Sequence, residues 1–258
     1  MTEEIEISRD GAVQILRLAR RKKKNALTGA MYRAMSDAIE AGDAAPDVAA
    51  HVIFGSGGVF SAGNDIADFL ATAKGTGGLG DDVLRFIRLL PKIRKPLLAG
   101  VDGKAVGIGT TLLFHCDLVY ATPESDFSTP FLDLGLVPEA ASSLLAPRVM
   151  GYQSAFELLA LGGSFSAARA RERGFVNDVV GSLELEARTI AAARNLAVKP
   201  PEALLLARRL LKGDVADISG RIEEEAVLFQ KRLQSPEALE AFQAFFEKRA
   251  PDFSKSRS

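Results

Sequence analysis

The sequence predicts an α/β core followed by a helical C-terminal part. Three observations carry that prediction. Short apolar runs, each ending in a Gly-containing turn and followed by helical periodicity, recur through the first half of the chain. Beyond about residue 183 the strand-like runs stop and only helical spacing continues. The composition, 47% hydrophobic and 25% charged over 258 residues, is ordinary for a globular protein and supplies a sizeable core.

Taken in order, Ile5 and Ile7, the Asp10-Gly11 pair, and then Val13, Ile15 and Leu18 read as a hairpin with an Asp-Gly turn. Thr28 is placed to cap a helix whose apolar positions are Met31, Met35, Ala38 and Ile39, before Gly42. His51 to Phe54 is a short buried strand that enters the turn GSGGVFSAGND. Lys74 to Gly80 is a candidate mobile loop, because four of its seven residues are Gly. Val83, Phe86, Ile87 and Leu90 then share a helix face that ends near Pro91. Pro96 to Val101 is the next strand; DGKAVGIG turns the chain, and a helix is expected to start at Thr110. Leu118 to Ala121 is another strand. Ser166 caps a short helix ending at Gly174, and Phe175 to Val180 is the last strand. Pro200-Pro201 separates two helices, and Ser235-Pro236-Glu237 combines an N-cap, a Pro at the first helical position and an acid in the first turn. The expected division is a core over 1–199 and a helical region over 200–258.

Charge and composition exclude several classes. Lys and Arg total 32 against 33 Asp and Glu, which argues against a broad nucleic-acid or membrane-surface binder. One Cys excludes an intramolecular disulfide framework, and one Cys with two His cannot build a Cys- or His-rich zinc site; an all-carboxylate metal site stays open. The acidic start MTEEIEISRDG has no apolar signal region, and no apolar run approaches the roughly 18–20 residues of a membrane span. The expectation is a cytoplasmic protein.

Three segments are candidates for chemistry. Phe60-Ser61-Ala62-Gly63-Asn64-Asp65 follows a buried strand and precedes a helix. It is either a plain βα turn or a set of backbone N–H groups suited to an anion or oxyanion. Gly103-Lys104-Ala105-Val106-Gly107-Ile108-Gly109 repeats the pattern without the residue order of a P-loop. Two converging turns of this kind are what chemistry at a thioester or ester carbonyl requires. In Leu136-Val137-Pro138-Glu139-Ala140, Glu139 is either a first-turn acid that suits a helix dipole or a carboxylate in an apolar setting. In the second case its proton affinity rises toward that of a general base at neutral pH. His115 and Cys116, after an apolar run, read as core residues. The basic run Arg20 to Lys24 reads as a solvated turn or a phosphate holder.

Together these segments resemble the enoyl-CoA hydratase/isomerase (crotonase) superfamily over most of the chain. The matching stretches are RKKKNALT, FSAGND, KPLLAGVDGKAVGIGTTL, CDLVYATPESDFSTPFLDLGLVPEAA and the terminal FFEKRAPDF. Their wording is most similar to the Δ3,Δ2-enoyl-CoA isomerase branch. The resemblance implies a crotonase-like spiral core of ββα turns with a helical C-terminal trimerisation region, hence a homotrimer or a dimer of trimers. It implies an acyl-CoA thioester substrate, no metal and no separate cofactor, coenzyme A being part of the substrate. Glu139 is the implied base, and the backbone N–H groups of Ala62 and Ile108 are the implied oxyanion donors. Substrate contacts are implied at Lys24, Ser61, Gly63, Asn64, Asp65, Ile66, Gly107 and Phe131, with Lys248 reaching over from a neighbouring subunit. The two glutamates of the hydratases are matched here by Thr111 and Phe131, so hydration is not expected. Isomerisation of a ring-type or epoxide CoA thioester, a hydratase-like activity and a non-catalytic CoA-binding role are the alternatives.

Overall fold

The computed structural model describes residues 4–66 and 80–254. Two sheets organise it. In the larger, the strand order is β1 (Ile5–Asp10), β2 (Val13–Leu18), β3 (Ala50–Phe54), β5 (Leu97–Val101), β7 (Leu118–Ala121) and β10 (Asp178–Val179). The smaller has the order β4 (Val59–Ser61), β6 (Lys104–Val106), β8 (Asp126–Ser128) and β9 (Phe165–Ser166). The first pair of the large sheet is the antiparallel hairpin read from the sequence, with Asp10 opposite Val13. The remaining pairs of that sheet are parallel.

The pairs β3/β4, β5/β6 and β7/β8 each place one strand in either sheet, so the chain advances as a spiral of ββα turns. This is the expected fold class. The small sheet is what the sequence did not disclose. Its strands are two or three residues long, too short for alternation to show, and two of them lie within stretches read as Gly turns.

Parallel strands covered on both faces should be apolar throughout. All five residues of β3 and of β5 are buried. Ile53, Leu97 and Ala99 face the main core, and Val52, Phe54 and Leu98 face a second cluster. Leu185, Ala192 and Ala193 of α7 (Leu185–Ala197) close that second cluster. The main core lies between the sheets and the helices α1 (Gly29–Ala44), α2 (Asp81–Leu89), α9 (Val215–Leu233) and α10 (Pro236–Glu247), numbered along the chain.

Several element ends differ from the sequence reading. Thr28 caps α1 by accepting from Met31 N at 3.3 Å, but α1 runs through Gly42 to Ala44. A Cβ at Gly42 would come within 2.3 Å of Gln14 Oε1, so this glycine serves close packing rather than helix termination. The helix expected at Thr110 begins earlier, as the single turn α3 (Ile108–Thr111). The last strand shrinks to Asp178–Val179. Ser166 and Ser235 cap α6 (Ala167–Glu172) and α10 as expected. The loop candidate at 74–80 lies, except for Gly80, outside the described residues. No described helix is long and apolar enough to cross a membrane.

Candidate active site

The site is assembled where the turn after β4 meets the turn after β6. Gly63 adopts φ +84, and a Cβ there would stand 2.8 Å from Val106 O. Only glycine permits both that backbone angle and that approach. Ser61 touches Gly109 from the same side. Gly107, at φ 56 and ψ −121, reverses the chain into α3 in a region closed to L-residues. Its carbonyl accepts from Thr110 and Thr111 at 2.8 and 2.9 Å. The Ile108 N–H, at the start of that turn, has no acceptor among the described residues, as helix-start donors commonly do not.

The first turn is held rigidly. Ala62 N–H donates to Lys24 O at 2.9 Å, and Gly63 N–H donates to Ser61 Oγ at 3.1 Å. Ser61 Oγ itself donates to Asn25 O at 2.9 Å. A parallel bridge joins Leu27 to Asn64 through Gly63 O and Asp65 N. That pattern leaves the Asn64 N–H pointing away from the bridge, without an acceptor among the described residues. The unspent donors facing this junction are therefore Asn64 and Ile108.

Glu139 completes the constellation. It is 5% exposed, and Thr111 Oγ1 donates to its Oε1 at 2.5 Å. Its Oε2 is buried without a partner among the described residues. Burial raises the carboxyl to about 8; the Thr111 bond opposes this, and the nearby Glu225 carboxylate adds to it. A cavity brings Glu139 and Asn64 together, walled by Val83, Leu84 and Ile87 of α2 and by Ile222, Ala226 and Phe229 of α9. A carboxyl poised near neutrality and the Asn64 N–H share the apolar slot, and the Ile108 N–H lies on the adjoining turn outside its lining, a set suited to moving protons next to a carbonyl.

A family profile described as enoyl-CoA hydratase/isomerase matches residues 8–256. The chain belongs to the enoyl-CoA hydratase/isomerase family. Enoyl-CoA delta isomerase 2 of Rattus norvegicus is 32% identical over 93% of this chain, which spans 62% of that protein's length. The 2,3-dehydroadipyl-CoA hydratase of Escherichia coli K12 is 31% identical over 97% of this chain and 98% of its own. The crystal structure of an enoyl-CoA hydratase/isomerase from Pseudoalteromonas atlantica T6c superposes with a TM-score of 0.92. It is 34% identical and covers 98% of this chain and all of that one. Both isomerase and hydratase relatives thus stand at similar distance.

Within this family frame, several site expectations need correction. The Ala62 N–H, expected as an oxyanion donor, is spent on Lys24 O, whereas the Asn64 N–H two residues on has no acceptor among the described residues. Ser61 is fully buried and ties the turn together, so its hydroxyl is not offered to a ligand. Asp65 directs its carboxylate to Arg20 Nη1 at 2.7 Å, an ion pair that anchors the loop. Glu139 is not in the first turn of a helix; α4 (Ser142–Met150) begins three residues later. Phe131 is buried in the main core and does not line the Glu139 cavity. Gly63 and Gly107 shape the two turns, and Ile66 packs against the core at the start of a helical turn. Lys24 is exposed beside the first turn, and Lys248 is exposed at the end of α10, where a neighbouring subunit and not this chain's own cavity was expected to meet it.

The sequence reading also passed over functional neighbours. Tyr32, read only as part of a helix, is buried and donates to Asn64 Oδ1. Its hydroxyl is held well above its ordinary proton affinity by burial and by the facing Glu139. Burial pushes the Cys116 thiol up to about 12, so it is inert at neutral pH. His115 is lowered to about 4 by burial, and its neutral ring donates from Nε2 to Ala140 O at 2.7 Å. No signal in the sequence marked Glu225, which reaches the site from α9.

Proposed function

We propose that this protein is an enoyl-CoA isomerase that moves a double bond between C3 and C2 of an acyl-CoA thioester. One observation carries the reading. The Glu139 carboxyl, raised to about 8, leaves Oε2 unpartnered in an apolar cavity shared with Asn64.

In this scheme the thioester oxygen sits between the Asn64 and Ile108 N–H groups. The thioester and the 3-double bond both acidify C2. Ionised Glu139 removes a C2 proton through Oε2, and the negative charge of the dienolate settles on the oxygen held by the two N–H groups. The Glu139 carboxylic acid then returns the proton at C4. One carboxylate suffices, and the steps call on no metal, nicotinamide or flavin. The cavity between the apolar residues of α2 and α9 measures about 10 Å³, the room of about one water, so admitting the acyl chain there requires the two helices to part. The exposed cations Arg21 to Lys24, next to the first turn, suit the phosphates of coenzyme A. Hydration needs a second group to position water. Thr111 has its hydroxyl engaged on Glu139, and Glu225 is engaged on backbone N–H groups.

We further propose assembly as a homotrimer or a dimer of trimers. The support is an exposed apolar stripe on α8 (Pro201–Lys212), where Leu210 is 81% and Leu211 88% exposed.

The test is a turnover screen with 3-enoyl-CoA, 2-enoyl-CoA and ring-type CoA thioesters. The 3-enoyl substrates should isomerise. Glu139→Gln should lower kcat by about 10²–10⁴-fold or more, with acyl-CoA affinity nearly unchanged. Faster hydration of crotonyl-CoA than isomerisation of a 3-enoyl-CoA would refute the proposal.

A further inference from the structure

The loop that carries Glu139 has a backbone that it cannot hold by itself. Ala140 and Ala141 both lie in the left-handed region, at φ 57 and 55, where L-residues with a Cβ seldom go. The restraints come from other elements. His115 Nε2 holds the Ala140 carbonyl. Ser142 donates its N–H and hydroxyl to Glu139 O, at 3.0 and 2.6 Å. The Ala141 N–H is held from farther along the chain: Glu225, 84 residues downstream, accepts it on Oε2 at 2.6 Å. Glu225 Oε1 accepts from Ser143 N at 3.0 Å and from Ser143 Oγ at 2.5 Å. Glu225 is 5% exposed, and its helix also supplies Ile222, Ala226 and Phe229 to the cavity wall.

We propose that Glu225 is a positioning residue for Glu139: its carboxylate pins the left-handed turn through Ala141 and Ser143, so that Glu139 Oε2 is presented to the cavity. The proposal rests on reading Glu139 as the base. A carboxylate suits the task and an amide does not. Two backbone N–H groups and a hydroxyl converge on the two oxygens, and an amide would turn an NH₂ toward one of those donors.

The pinning carries an electrostatic consequence. Two buried carboxyls are close enough for Glu225 to raise the proton affinity of Glu139. Glu225 has three donors and faces Arg221, whose Nη1 donates to Ser143 Oγ at 3.0 Å. Glu139 has the single Thr111 donor and faces Tyr32, which stays protonated, and the neutral His115 lies on the next peptide. Glu225 is therefore the member of the pair that ionises first, and Glu139 keeps its proton.

The test uses the full chain and the variants Glu225→Gln and Ser143→Ala. Glu139 ionisation is followed directly by the infrared carboxyl stretch, with Glu139→Gln as the subtraction, so it needs no substrate. In Glu225→Gln the Glu139 midpoint should fall, because a negative neighbour is gone. kcat for 3-enoyl-CoA should drop by roughly 10²-fold through misplacement of the base, while KM stays within about threefold. Ser143→Ala removes one donor and keeps both backbone clamps; it should move both readouts the same way by less, and it decides the matter alone if Glu225→Gln does not fold. An unmoved Glu139 midpoint with kcat within about threefold of wild type would overturn the proposal. A midpoint that falls in a protein with no 3-enoyl-CoA turnover would support the coupling of the two carboxyls and refute the isomerase reading instead.

Discussion

Replacing Thr111 with Val removes a hydroxyl while keeping the shape of the side chain. In the structure that hydroxyl donates to Glu139 Oε1 at 2.5 Å inside a buried site, and it pulls the Glu139 carboxyl down from where burial would leave it. A hydrogen bond to a charged group contributes about 1.5–3 kcal/mol. About half of that survives when the carboxyl is neutral, because charge-assisted bonds are roughly twice as strong as neutral ones. The difference between the two protonation states is then about 0.7–1.5 kcal/mol, and 1.36 kcal/mol corresponds to a tenfold change. At pH 7 Glu139 is mostly protonated, since its carboxyl stands at about 8. The rate there follows the ionised fraction, so Thr111→Val should lower kcat/KM at pH 7 by roughly three- to twelvefold. The assay is the pH profile of kcat/KM for 3-enoyl-CoA isomerisation, which reports ionisation of the free enzyme. The acid limb should move to higher pH, and the two proteins should converge on the alkaline plateau. A loss that is uniform across the profile, or a limb that moves to lower pH, would refute the reasoning.

Gly63→Ala should lower both stability and kcat, since the residue sits at φ +84 with Val106 O 2.8 Å from the new Cβ. The strain is about 1–3 kcal/mol, and a thermal midpoint equal to wild type would contradict it. The raised Glu139 carboxyl also makes stability depend on pH. A group raised from 4.5 unfolded to about 8 folded contributes stability fully below 4.5 and loses it as pH rises to about 8. The urea midpoint of wild type should therefore fall from pH 5 to pH 8 more steeply than that of Glu139→Gln; parallel curves would place the carboxyl in an ordinary environment. For assembly, sedimentation of wild type should show a trimer or hexamer that a Leu210→Glu, Leu211→Glu double variant dissociates. A wild-type monomer stable at micromolar concentration would exclude that arrangement.

What could be read from the sequence was local. The Asp10-Gly11 hairpin, the Thr28, Ser166 and Ser235 caps and the wholly buried β3 and β5, apolar but for His51, all follow from neighbours a few residues apart. Their physical causes are turn geometry, orphan N–H groups and burial of both faces of a parallel strand. Glu139 was legible as a candidate for the same reason, being one acid set in an apolar segment, and the two Gly turns marked the chain reversals beside it. What the tertiary structure alone decided depends on distant backbone. Whether Ala62 or Asn64 has a free N–H is settled by where Lys24 O and Leu27 come to lie. Likewise, Asp65 is claimed by Arg20, Glu139 is held by Thr111, and Glu225 grips the turn behind it from α9. Each of these is a pairing between groups with no sequence periodicity in common. Which donor finds which acceptor is fixed only when the ββα spiral brings the two turns and the C-terminal helices into one core.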